Sequence, residues 1–141
     1  MTSQDKLAQI VAEHAGREGP LLPILHDVQA EFGCVDEDAE AFIARALHLS
    51  RADVHGVVSF YHDFHSHRDP RPVVQICRAE ACKARGVEAI IDEATAAAGD
   101  RVKVQTVYCL GLCSSGPSAR VGDRLYARLD GPALAKIVEN A

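Results

Sequence analysis

Apolar residues recur at helical spacing through the first half of the chain and alternate at strand spacing through much of the second. Leu7, Ile10, Val11 and His14 repeat at i, i+3, i+4, i+7 and predict one face of a helix. Gly19-Pro20 breaks that helix and starts the next, because proline is tolerated in a first turn. The second helix carries Leu21, Ile24, Leu25, Val28 and Phe32, with Gly33 as its stop, and requires Pro23 to fall within its first turn. A third helix is expected from near Asp36, where four acids suit the positive end of the helix dipole. Phe42, Ile43, Ala46 and Leu47 are its expected buried face. Ser50-Arg51-Ala52-Asp53 has the form of a capping box and opens a short fourth helix over roughly 51–58, with Leu49 placed to staple onto Val54.

Residues 59–70 follow neither period and are read as a connection that ends at Pro70 and Pro72. Beyond it, Val73–Ile76 is a β-branched run and predicts a strand. Val87, Ile90, Ile91 and Ala94 predict a helix that stops at Gly99-Asp100. Val102, Val104 and Thr106 alternate with Lys103 and Gln105. Leu125, Ala127 and Leu129 alternate with Tyr126 and Arg128, and this strand is expected to pair with Ala119–Val121 through a Gly122-Asp123 turn. A last helix carries Leu134, Ile137 and Val138. The expected fold class is α+β: an N-terminal helical bundle over residues 1–66 and a small α/β domain with one mixed sheet over 67–141.

Composition narrows the function. With 141 residues, 48% hydrophobic and 25% charged, the chain has the profile of a folded globular protein. No apolar run approaches the roughly 18 residues a membrane helix needs, so direct membrane insertion is not expected. The opening MTSQDKLAQI lacks a basic stretch followed by an apolar one, so a cytoplasmic location is expected. A net charge of −5 argues against a nucleic-acid partner. The charge is uneven: residues 1–70 hold 5 Lys+Arg against 12 Asp+Glu, and residues 71–141 hold 10 against 8. That asymmetry suggests two modules or two partner faces.

Four of the five cysteines lie between positions 77 and 113. Cys77 and Cys82 form C-x4-C, Cys109 and Cys113 form C-x3-C, and each pair follows a predicted strand. Two strand ends of one sheet lie side by side, so the pairs can converge. Four thiolates suit a [2Fe–2S] cluster, with one iron on Cys77 and Cys82 and the other on Cys109 and Cys113. Arg78, Lys83 and Arg85 are near enough in sequence to bear on its potential, although each also reads as a solvated surface residue. A structural zinc also takes four cysteines, at C-x2–4-C spacings, and on spacing alone the two stand level. A thiol–disulfide enzyme fits less well, because it needs C-x-x-C at a helix start. Four unligated buried cysteines fit least.

Three blocks resemble a known family: Val54-His55-Gly56-Val57-Val58-Ser59-Phe60-Tyr61, Cys77-Arg78-Ala79-Glu80-Ala81-Cys82 and Val107-Tyr108-Cys109-Leu110-Gly111-Leu112-Cys113. They are similar to the thioredoxin-like [2Fe–2S] subunit of NADH dehydrogenases, and Leu21–Gln29 with Glu31-Phe32-Gly33 resembles its N-terminal helical part. The resemblance covers nearly the whole chain and favours iron–sulfur over zinc. It implies a thioredoxin-like second domain and one [2Fe–2S] cluster on Cys77, Cys82, Cys109 and Cys113. It also implies a partner flavoprotein holding FMN and the NAD(H) site, and a larger catalytic subunit in the same complex. Consistently, this chain has no G-x-G-x-x-G fingerprint. The family spans respiratory complex I, NAD-reducing hydrogenases and soluble NAD-dependent formate dehydrogenases. Ser59–Phe64, the Cys77–Cys82 block and the short spacing between the cysteine pairs look most like the formate dehydrogenase gamma subunit. The implied role is one-electron transfer or storage beside a flavin in an NAD-linked oxidoreductase, with no catalysis, and no formate activity, by this chain alone.

Other residues invite misreading. Cys34 reads as a small buried or loop thiol. His62, His65 and His67 resemble a metal group but read as solvated connection residues. His55 is expected as a packed, hydrogen-bonded core residue. Of Phe60, Tyr61 and Phe64, at least one is expected in the core, and the others are candidates for docking.

Overall fold

A computed structural model describes all 141 residues, and these fall into two compact units, Met1–Asp69 and Pro70–Ala141. The first holds four helices: α1 (Ser3–His14), α2 (Leu21–Phe32), α3 (Glu37–Leu47) and α4 (Arg51–Phe60). Three are started by side-chain caps that satisfy otherwise orphaned N–H groups. Thr2 with Asp5 and Ser50 with Asp53 form reciprocal capping boxes, and Asp36 accepts from the Ala39 N–H. α2 begins after Pro20 with Pro23 in its first turn, and ends at Gly33, whose left-handed φ of 76° an L side chain would resist. Ile24, Leu25, Val28, Val35, Ile43 and Val54 form the sealed core of this unit.

Four expectations need correction here. α4 runs to Phe60, two residues past the expected end, and stops where Tyr61 turns extended and donates its N–H to the Val57 carbonyl. On α3 the buried stripe is Ala39, Glu40, Ile43 and Ala44, spaced by three and four. Ala46 lies off that stripe and is exposed. His55 is not a core residue: its side chain is 66% exposed, and the buried member of its pair is the Glu40 carboxylate, 6% exposed, at 3.1 Å. Within 59–70, Ser59 and Phe60 belong to α4, and Phe64 joins the core beside the His26 ring.

The second unit is built on a four-stranded mixed sheet. Its elements are β1 (Val73–Cys77), α5 (Glu80–Ala84), α6 (Val87–Ala98), β2 (Lys103–Val107), a 3-10 turn at Cys113–Ser115, β3 (Ala119–Val121), β4 (Arg124–Tyr126) and α7 (Gly131–Asn140). The strand order is β2-β1-β3-β4. β1 and β2 are parallel, with Val73 opposite Lys103 and Cys77 opposite Val107. β3 runs antiparallel to both β1 and β4. Val74 and Ile76 are sealed in a core shared with Val87 and Ala94 of α6 and Leu134 and Val138 of α7. A second cross-strand row, Gln105-Gln75-Arg120-Leu125, is polar along most of its length. In it Gln75 bonds Gln105 at 3.0 Å and accepts from Arg120 at 2.8 Å.

That row explains why the last strand departs from its expected phase. Leu125 lies opposite Arg120 and is exposed, whereas Tyr126 lies opposite Ala119 and packs on the core. The strand also ends early. Arg128 adopts φ 52°, its N–H bonds the Ser115 carbonyl, and the turn redirects Leu129 inward. α5 was not expected, because five residues are too few to show a period.

Candidate metal centre

Parallel pairing of β1 and β2 puts their C-terminal ends at one edge of the sheet. Cys77 is the last residue of β1, and Cys109 follows β2 by two residues. Cys82 lies in α5, which turns back just after β1, and Cys113 opens the 3-10 turn. The four thiols thus come from the end of a strand, a short helix, a loop and a 3-10 turn. Cys77 and Cys82 are buried, and Cys109 and Cys113 are exposed.

Backbone amides are aimed at the sulfurs. The Cys109 N–H donates to Cys77 Sγ at 3.3 Å, and the Gly111 N–H to Cys109 Sγ at 3.3 Å. Cys109 takes φ 89° and Gly111 φ 78°, the tight left-handed path that turns these N–H groups inward. Burial pushes the Cys77 thiol up, but donors from the Ala79, Cys109 and Leu110 backbones and from Cys82 outweigh it and hold its pKa below the ordinary value. Burial raises Cys82, with Ser118 opposing. Cys113 is raised by its neighbour Cys109, whose sulfur is 3.5 Å away. Metal binds thiolates, so loading the site would release the protons these thiols carry.

The space around the sulfurs is shaped as well. A Cβ on Gly116 would lie 2.9 Å from Cys82 Sγ and 3.5 Å from its Cα, so only glycine lets this loop lie against the thiol. Arg78 does not face the sulfurs as a free cation; its guanidinium forks onto Glu88, with Nε 2.9 Å from Oε1. Lys83 lies 4.0 Å from Glu80 on the surface of α5. Sulfur contacts run within and between the two cysteine motifs: Cys109 Sγ lies 3.5 Å from Cys113 Sγ, and the Cys109 N–H reaches Cys77 Sγ.

Comparison with known proteins agrees with this chemistry. The family model described as thioredoxin-like [2Fe–2S] ferredoxin matches residues 7–141. The chain belongs to that family. Its cofactor is one [2Fe–2S] cluster, which when bound takes up and returns one electron at a time. The ferredoxin is 31% identical to NADH-quinone oxidoreductase subunit 2 of Thermus thermophilus, over 87% of this chain and 74% of the relative. It is 26% identical to NADP-reducing hydrogenase subunit HndA of Solidesulfovibrio fructosivorans, over 94% and 83% respectively. A crystal structure of an NAD+-reducing [NiFe]-hydrogenase in the H2-reduced state superposes with a TM-score of 0.69 and 25% identity. That match covers 85% of the ferredoxin but only 22% of the hydrogenase chain.

The remaining sequence candidates belong to the first unit. Cys34 is half-buried in the loop between α2 and α3. His62, His65 and His67 are exposed, and His67 Nδ1 shares a hydrogen bond with the Ser66 hydroxyl. One residue of the site escaped the sequence reading. Ser118, buried just before β3, sets its hydroxyl 3.7 Å from Cys82 Sγ. A lone serine beside Pro117 gives no pattern that would have revealed it.

Proposed function

We propose that the ferredoxin is the iron–sulfur electron-transfer subunit of a cytoplasmic NAD-dependent formate dehydrogenase, exchanging single electrons with the FMN of a partner flavoprotein. Cys77 and Cys82 hold one iron and Cys109 and Cys113 the other. The observation that carries the reading is the convergence of four thiols from two parallel strand ends, with backbone N–H donors on the sulfurs. The buried pair anchors the cluster in the sheet. The exposed pair marks the end from which electrons enter and leave, because transfer needs the partner's cofactor close by. Tyr108, 75% exposed, flanks that end and offers an aromatic surface to the partner.

The choice of formate dehydrogenase rests on the Ser59–Phe64 and Cys77–Cys82 blocks. The relatives named above support two other parent complexes, complex I and an NAD-linked hydrogenase. Native purification separates them. Molybdenum or tungsten in the co-purified complex supports formate dehydrogenase, nickel supports a hydrogenase, and membrane subunits support complex I. The purified ferredoxin itself should hold about two irons and two acid-labile sulfides per chain. One zinc and no sulfide would overturn the cluster assignment.

A further inference from the structure

We infer that Ser118 sets the reduction potential of the cluster by donating its hydroxyl hydrogen to the Cys82 sulfur. The inference rests on the proposal that Cys82 is a ligand. Ser118 is one of two buried polar residues in the chain, at 1% exposure. Its surroundings are apolar: Pro117 and Ala119 flank it, both buried, and Ile76 lies in the adjacent strand opposite Ala119. A hydroxyl in such a place needs a partner, because burial strips it of water. The partner here is Cys82 Sγ, 3.7 Å away and itself buried.

The backbone holds this contact in place. The Ser118 carbonyl accepts the Cys77 N–H at 3.0 Å, so the residue is tied to β1 at the position of one thiol while its side chain reaches the next. The Leu129 N–H bonds the Pro117 carbonyl at 3.1 Å and closes the segment from the other side. When Cys82 is a thiolate ligand it has no proton to give, so the hydroxyl is the donor.

The consequence for the potential follows from charge. Reduction adds an electron to a cluster whose sulfurs already carry negative charge. A donor aimed at a ligand sulfur therefore stabilises the reduced form more than the oxidised form. At a buried sulfur, where water does not compete, the effect is larger than at the exposed Cys109 and Cys113. Ser118 thus raises the potential relative to a site without it.

The test is a redox titration of the full chain followed by EPR, on wild type, Ser118→Ala, Ser118→Cys and Ser118→Thr. Ser118→Ala should shift the one-electron equilibrium at least threefold toward the oxidised form, about 28 mV at 59 mV per decade. Ser118→Cys, with a weaker donor, should fall between Ala and wild type. Ser118→Thr, which keeps the hydroxyl, should restore most of the shift. Iron content and the EPR line shape should stay those of wild type, which a merely structural role would not predict. If Ser118→Ala fails to assemble, the order of Ser, Thr and Cys carries the test alone. A change below threefold, or an order other than Ser, Thr, Cys, overturns the inference. Cys82→Ser run alongside keeps the two readings apart. Full retention of the cluster there overturns the ligand assignment, whereas cluster loss with unmoved Ser118 potentials overturns only the role of Ser118.

Discussion

Gly116 shows how little room the site leaves. Its missing side chain is the space against which Cys82 Sγ rests, and a methyl there would also come within 3.3 Å of Arg85 Cδ. The arginine stem can yield, but the sulfur cannot without leaving its place in α5. Gly116→Ala should therefore lower the iron bound per chain by more than half, measured by iron and sulfide analysis of the purified protein. Gly86→Ala is the control, because a Cβ there meets nothing within 4 Å. Its strain is confined to the backbone φ of 93°, so it should cost about 1 kcal/mol of stability and leave the loading intact. The four cysteines were legible as chemistry, since their spacing is a local signal. Ser118 was not, because its role depends on which sulfur the fold brings beside it.

At the scale of elements, helix starts and stops were the clearest signals. Capping residues act on N–H groups two or three positions away, so the Ser50–Asp53 box and the Gly33 stop could be read directly. Pairing register is not local, and the phase of β4 followed from its position opposite Arg120 and Ala119 rather than from its own alternation. Burial of a charged residue is equally non-local. Glu40 looked like one more acid at the start of α3, yet it is closed off against α4, where only His55 meets it. His55→Ala leaves that carboxylate without its partner and should cost about 1 kcal/mol in the helical unit, with solvent at the exposed imidazole limiting the loss. The double variant Glu40→Leu, His55→Ala should recover most of it. Chemical denaturation of the three proteins checks both statements, and an unchanged midpoint for His55→Ala would show that the pair contributes nothing.

Taken whole, the molecule has two separate sealed cores, one among the helices and one behind the sheet. The alternation of helical and strand periods made that division of structure types readable. The convergence of the thiols was readable only as a possibility, since it depends on β1 and β2 lying adjacent and parallel. On the proposed ligand set that arrangement makes the cluster part of the second fold: Cys77, Cys82, Cys109 and Cys113 would tie the end of β1, α5, the loop after β2 and the 3-10 turn to one inorganic core. Binding free energy at such a site is folding free energy. Removing the cluster from the wild type with an oxidant and chelator should therefore bleach the visible absorption and lower the unfolding temperature of residues 70–141. Cys82→Ser and Cys113→Ser should do the same. The helical unit draws its stability from Ile24, Leu25, Ile43 and Val54, none of which belongs to the second core, so its melting should stay within about 2 °C. Hydrogen exchange read separately over residues 1–69 and 70–141 distinguishes the two. If both regions lose protection together, the units are one cooperative fold; if neither does, the four thiols do not hold the cluster.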